Sequence, residues 1–130
     1  MSDNKIAYIS DYDGTLVNSG NPSDKMKQYS NLLARVVKDK LADKVIVLTA
    51  RDKSKTDDIQ EHLKSLGIAD AVGIIATGSA DPIKKADYIE SCIKEGYNTI
   101  IFLDNSEDNL VAVSKLQDKY PQTKLIVHKV

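Results

Sequence analysis

Four short stretches of this 130-residue chain hold the side chains best suited to chemistry. Asp11-Tyr12-Asp13-Gly14-Thr15-Leu16 offers two carboxylates and a hydroxyl, and Leu48-Thr49-Ala50-Arg51 a hydroxyl beside a cation. Lys84-Lys85 supplies two ammonium groups, and Leu103-Asp104-Asn105-Ser106 a carboxylate next to an amide. Oxygen-rich clusters facing one another make a site for a hard cation such as Mg²⁺, which prefers carboxylate, carbonyl and water ligands. A lysine and a hydroxyl beside that cation suit a phosphoryl group, because they neutralise and orient its oxygens.

These stretches can meet only if the elements that carry them bring them to one edge. Apolar runs at Ile6 to Ser10, Lys44 to Thr49, Ala71 to Ala76, Thr99 to Leu103 and Lys124 to His128 read as strands. Several are nearly continuous rather than alternating, as expected for strands covered on both faces. Between them the period changes to that of a helix. Met26, Tyr29, Leu32, Leu33, Val36 and Val37 form one stripe, and Ile59, Leu63 and Leu66 a second. Ile89, Cys92 and Ile93 form a third, and Leu110, Val113 and Leu116 a fourth. Asn21-Pro22 and Asp81-Pro82 each place a capping residue before a first-turn proline. Ser54 or Thr56 precedes Asp57 and Asp58, and Ser106 precedes Glu107 and Asp108, so acidic groups stand at positive helix ends. Gly67 is placed to stop the second helix.

The order is β-α-β-α-β-α-β-α-β with short connections. Right-handed crossovers turn it into a three-layer α/β/α, Rossmann-like fold with a five-stranded, mostly parallel sheet. In such folds ligands bind beyond the carboxyl ends of the strands, where the strand order reverses. The four chemical stretches stand at those ends or in the helix after the third strand.

Composition narrows the class. The length predicts one domain spanning residues 1–130, able to bury a core without disulfides or a structural metal. Eighteen basic against nineteen acidic residues leave a net charge of −1, which argues against a dedicated polyanion-binding protein. No apolar stretch approaches the ~20 residues of a membrane span, and no signal peptide opens the chain. The single cysteine, Cys92, excludes an internal disulfide and fits a reducing compartment, so the expected location is cytoplasmic.

The pattern resembles the haloacid dehalogenase superfamily, most of whose members are phosphatases. The likeness runs over nearly the whole chain. A hydrophobic strand followed by Asp-x-Asp-Gly-Thr-Leu/Val is that family's first signature, and residues 11–16 match it fully. The resemblance implies a Mg²⁺-dependent phosphomonoesterase in which Asp11 is the nucleophile, forming an aspartyl-phosphate, and Asp13 the general acid and base. A carboxylate nucleophile splits one difficult hydrolysis into two displacements, a second carboxyl two residues on points toward the same edge, and Gly14 permits the tight exit from the strand.

Thr49 matches the second motif, a strand-ending hydroxyl on a phosphoryl oxygen. The third motif is a lysine near a helix start. Lys85, four residues before Ile89, fits it better than Lys84. The fourth departs from the commonest wording, Gly-Asp-Ser-x-x-Asp. One register puts Asn105 and Asn109 on the metal; the other makes Asp104 and Asp108 the pair. The implied metal set is therefore Asp11, Asp13 and either Asn105 or Asp104.

A cap domain, usual in this family, has no room here. Thirty-seven residues separate Asp11 from Thr49 and thirty-five separate Thr49 from Lys85, and helices and strands fill both intervals. An open site argues for a bulky substrate. Arg51, Lys53 and Lys55 would ring its mouth as a cationic rim, and Thr49-Ala50-Arg51 is similar to the Ser/Thr-Gly-Arg of polynucleotide 3′-phosphatases, with Ala50 replacing the glycine. The implied partner is a phosphorylated substrate, such as a nucleic-acid end, bound through Thr49, Ala50, Arg51 and Lys85. With no Trp and one Phe, base stacking has few platforms. Two alternatives stand beside this reading: a nucleotide-type small-molecule phosphatase covered by oligomerisation, and a phosphate-binding domain without turnover. His62, His128 and Cys92 read as structural.

Overall fold

The computed structural model describes residues 4–17 and 24–130. Its strands are β1 (Ile6–Ser10), β2 (Lys44–Thr49), β3 (Gly73–Ala76), β4 (Thr99–Asp104) and β5 (Lys124–Lys129). Its helices are α1 (Asp24–Lys38), α2 (Asp57–Ser65), α3 (Pro82–Lys94), α4 (Glu107–Ser114) and the short α5 (Leu116–Lys119). The five strands form one sheet in the order β3-β2-β1-β4-β5, with every pairing parallel. The chain first winds outward from β1 through β2 to β3, then returns to pair β4 on β1's other side. The order therefore reverses between β1 and β4, which makes their carboxyl ends the topological switch point.

Strand parity decides which side chains meet which helix layer. Tyr8, Val45, Val47 and Leu103 face Leu33 and Val36 of α1 and Ile59 and Leu63 of α2. Ala7, Ile9, Ile46, Leu48, Ile100 and Phe102 face Ala86, Ile89 and Cys92 of α3 and Leu110 and Val113 of α4. The result is an α/β/α sandwich with both sheet faces covered, and it explains why the central strands are apolar on both parities. Among the described residues, no helix is long and apolar enough to cross a membrane.

Local signals act largely as the sequence implies. Asp81 caps α3 by accepting from the Ile83 N–H at 3.1 Å, and Ser106 caps α4 through Asn109 N–H at 3.4 Å. Gly67 ends the α2 region with φ +75°. The Asn21-Pro22 start lies outside the described residues. Strands β4 and β5 each run one residue past their apolar runs, to Asp104 and Lys129, and three further details differ. The third strand begins at Gly73 rather than Ala71, because Ala69–Ala71 closes a 3-10 turn and pairing starts only at Gly73 opposite Ile46. Thr56 occupies the cap position of α2 without capping it; its hydroxyl donates to the Lys53 carbonyl instead. The fourth helical stripe is broken at Lys115, where the Ser114 hydroxyl donates to the Leu110 carbonyl, a back-bond that bends helices.

Candidate active site

Asp11 follows β1 directly, and its backbone N–H continues the ladder by donating to the Leu103 carbonyl at 2.8 Å. It keeps the parity of Ala7 and Ile9, and so lies on the α3 side of the sheet. Asp104 ends β4 with the parity of Ile100 and Phe102 and lies on that same side. The first turns of α3 place Lys85 on the buried stripe that continues through Ile89 and Cys92. These three placements converge. Lys85 Nζ donates to Asp11 Oδ1 at 2.7 Å and to Asp104 Oδ2 at 3.0 Å. The side chains of Lys85, Asp11 and Asp104 are 3%, 8% and 0% exposed. Lys84, one residue earlier, points to solvent.

Asp104 is thoroughly committed. Besides Lys85, it accepts from the Ser106 N–H at 2.9 Å and from Asn109 Nδ2 at 3.0 Å. Asp11 has weaker restraint on its other oxygen, where Thr15 Oγ1 donates to Oδ2 at 3.2 Å. Burial pushes the Asp11 carboxyl up to about 6, with the Asp104 charge adding to the rise and Lys85 opposing it. Two carboxylates share one ammonium, so the buried trio carries an excess of one negative charge when all three are ionised.

Thr49 ends β2 at 1% exposure, on the opposite parity from Leu48, and its Oγ1 accepts from the Arg51 N–H at 3.2 Å. Ala50 forms the bend that follows and is half-buried. Arg51, expected as a cation for substrate, is instead gripped from two sides. Its Nε and Nη2 donate to Asp13 at 2.9 and 2.8 Å, and its Nη1 donates to Asp58 at 2.6 and 2.7 Å and to the Lys55 carbonyl at 3.1 Å. The guanidinium also stands 5.1 Å from the Tyr12 ring centre, a cation–π distance. These bonds hold Asp58 below the usual carboxylate range. Asp13 and Asp58 are both exposed, with Arg51 between them.

Asn105 is exposed and lies against Gly14, whose φ is +81°. A Cβ added at Gly14 would overlap the Asn105 carboxamide. The missing side chain at Gly14 is therefore what lets the fourth stretch close onto the first. Among the described residues, no three His, Cys, Asp or Glu side chains gather as a metal cluster. The Asp11 carboxylate after β1 and the Asn105 amide after the neighbouring β4, beside an excess negative charge, are oxygen donors of the kind that suit Mg²⁺, which is held by one or two carboxylates plus waters and phosphate oxygens.

Asp58, Tyr12 and Thr15 were not singled out as site residues by their sequence. The signal for Asp58 is its place in the first turn of α2, close to the strand end that carries Arg51; in the sequence it reads only as a helix-end charge. Tyr12 is buried at 3% exposure and its hydroxyl bonds His62 Nδ1 at 3.0 Å, which gives His62 a structural role. His128 likewise pairs with Tyr29 at 2.8 Å, and Cys92 is fully buried in the core. Lys53 and Lys55, in a 3-10 turn after Arg51, are exposed. The chain matches no protein-family model and no curated protein.

Proposed function

We propose that this chain is a Mg²⁺-dependent phosphomonoesterase of the haloacid dehalogenase type, working through an aspartyl-phosphate on Asp11. The observation that carries the reading is the buried Asp11–Lys85–Asp104 trio at the point where strand order reverses. A buried lysine between two carboxylates is expensive to build for stability alone, and its position is where such folds bind ligands.

In the first displacement an Asp11 carboxylate oxygen attacks phosphorus and the ester P–O bond breaks. Oδ2, held by the longer bond from Thr15, is the freer oxygen for that attack. Asp13 gives a proton to the departing oxygen. In the second displacement water attacks the phosphorus, the bond to Asp11 breaks, and Asp13 takes the proton from that water. Lys85 fixes Asp11 and neutralises charge on the phosphoryl oxygens, and the Thr49 hydroxyl can donate to one of them. Asp11 and Asn105, with the Asp13 loop, would hold Mg²⁺, which supplies charge neutralisation for the transferring group. On this assignment Asp104 serves Lys85 rather than the metal. The exposed side chains of Lys53, Lys55 and Lys84, without ion-pair partners among the described residues, favour an extended polyanionic substrate, such as a polynucleotide end, over a small phosphate ester.

Phosphate release from p-nitrophenyl phosphate, mononucleotides and 3′- or 5′-phosphorylated oligonucleotides, with Mg²⁺ or EDTA, tests the reading. Release that needs Mg²⁺ and is lost in Asp11→Asn is expected, with the oligonucleotides preferred. Equal release by Asp11→Asn would overturn the mechanism, and preference for mononucleotides would overturn the substrate class.

A further inference from the structure

We infer that Arg51 is a positioning residue for the second displacement: braced by Asp58, it holds the Asp13 carboxylate as the base that activates water against phospho-Asp11. The inference rests on the phosphatase reading above and assigns a part of it that neither the motifs nor their spacing supply. Asp13 lies in the turn after β1, just before a glycine at φ +81°, and its side chain is 55% exposed. A short carboxylate in that setting would sample several rotamers. It does not need to, because both of its oxygens accept from the Arg51 fork, at 2.8 and 2.9 Å.

A bidentate fork fixes the plane of a carboxylate as well as its distance. The fork is itself immobilised along its remaining edge. Both Asp58 oxygens and the Lys55 carbonyl accept from Nη1, and the Tyr12 ring lies beside the guanidinium. Restraint thus passes from the start of α2, through Arg51, to Asp13.

The fork bears on the second displacement. When water attacks, the new P–O bond forms, the Asp11–phosphorus bond breaks, and the water proton passes to an Asp13 oxygen, so that step needs a carboxylate held in a fixed plane. Both Asp13 oxygens are held by Arg51, which supplies that restraint.

p-Nitrophenyl phosphate isolates this step, because its leaving oxygen departs as a phenolate without being given a proton. Stopped-flow release of nitrophenolate and the intact mass of acid-quenched enzyme would be followed for wild type, Arg51→Met, Arg51→Lys and Asp58→Asn. In Arg51→Met we expect a burst approaching one nitrophenolate per enzyme, then a steady rate about 100-fold below wild type. A covalent phosphoryl adduct should appear in the mass. Arg51→Lys should behave similarly, because a lysine keeps the charge but not the fork, and Asp58→Asn should show a smaller burst. A slowed Arg51→Met with no burst and no adduct would overturn the inference, since a structural or substrate-binding role slows turnover without trapping the phosphoenzyme. Full retention of the wild-type rate by Arg51→Lys would overturn it too. A wild type that releases no nitrophenolate would instead defeat the phosphatase reading itself.

Discussion

Lys85→Met tests the site through stability, independently of any substrate. The substitution keeps the length and apolar stem of the side chain but removes the ammonium from between Asp11 and Asp104, whose side chains are 8% and 0% exposed. Breaking a buried ion pair from one side costs about 3–5 kcal/mol, because the partner charge is left buried and uncompensated. A chain of 130 residues is stable by about 6–20 kcal/mol at the usual density per residue. The loss is thus a large share of the total, and for this size corresponds to a fall of roughly 10–20 °C in melting temperature. The assay is thermal unfolding by circular dichroism at pH 8 in EDTA, with Lys84→Met as the control. Lys84 is exposed, so its replacement should change stability by no more than about 0.5 kcal/mol. Adding Asp11→Asn to Lys85→Met should restore part of the loss, since it removes one of the two stranded charges. Equal melting temperatures for Lys85→Met and Lys84→Met would refute the reasoning, because a lysine that matters no more than its exposed neighbour is not holding two buried carboxylates.

Asp11→Asn in the otherwise native chain should raise the melting temperature in EDTA at neutral pH. Burial holds the folded carboxyl at about 6, above its unfolded value of 3.8, so ionised Asp11 costs stability. The advantage of the variant should be absent below pH 3.8, grow as the pH rises through that window and be complete above about 6; a variant less stable than wild type at pH 8 would contradict it. Gly14→Ala should destabilise the fold by more than about 1 kcal/mol, since φ is +81° and the new Cβ meets Asn105. It should also weaken Mg²⁺ binding in a calorimetric titration, whereas wild-type affinity would detach Asn105 from the metal. Burial lowers the pKa of His62 below its usual 6.5, so stability is fully present above 6.5 and is lost as the pH falls through the folded value. His62→Gln should flatten that acid limb in melting curves across pH 4.5–7.5, and an unchanged limb would place its cause elsewhere.

The elements with long apolar runs were legible almost to the residue. β1 and β2 coincide with the runs Ile6 to Ser10 and Lys44 to Thr49, because strands buried on both faces leave no room for polar residues. The start of β3 was not legible, since Ala71 and Val72 are as apolar as the strand itself and only the neighbouring register shows that pairing begins at Gly73. Lys85 was favoured over Lys84 because Lys85, Ile89 and Cys92 share helical spacing, and that stripe is the buried one. Asp104 against Asn105 was undecidable for the converse reason. Strand β4 runs one residue past the apolar run, pairing Asp104 with Lys129, and that single step sends Asp104 to the α3 face. Parity also misled at Asp13. Two residues along a strand it would have shared Asp11's direction, but β1 ends at Ser10 and the turn delivers Asp13 to Arg51. The partners of Arg51 depend on how the 3-10 turn at residues 53–55 folds back, which no spacing encodes.

The two charged groupings at this sheet edge differ in a way that matches different tasks. Asp11, Lys85 and Asp104 are sealed, and their geometry is set by strand ends and a helix packed from one side of the sheet. Asp13 and Asp58 face solvent with the half-buried Arg51 between them, and the three rest on loops and the first turn of α2. A nucleophile must meet phosphorus in line within a few tenths of an ångström, and rigid, buried elements supply that precision. A group that first gives and then takes a proton must change both charge and partner, which an exposed loop permits and a sealed pocket resists. The exposed ion pairs contribute little to folding, so their close, forked geometry has its explanation in orientation rather than stability. Substitutions at Lys85 should therefore be read first in melting temperature, and substitutions at Arg51 in the lifetime of the phosphoenzyme.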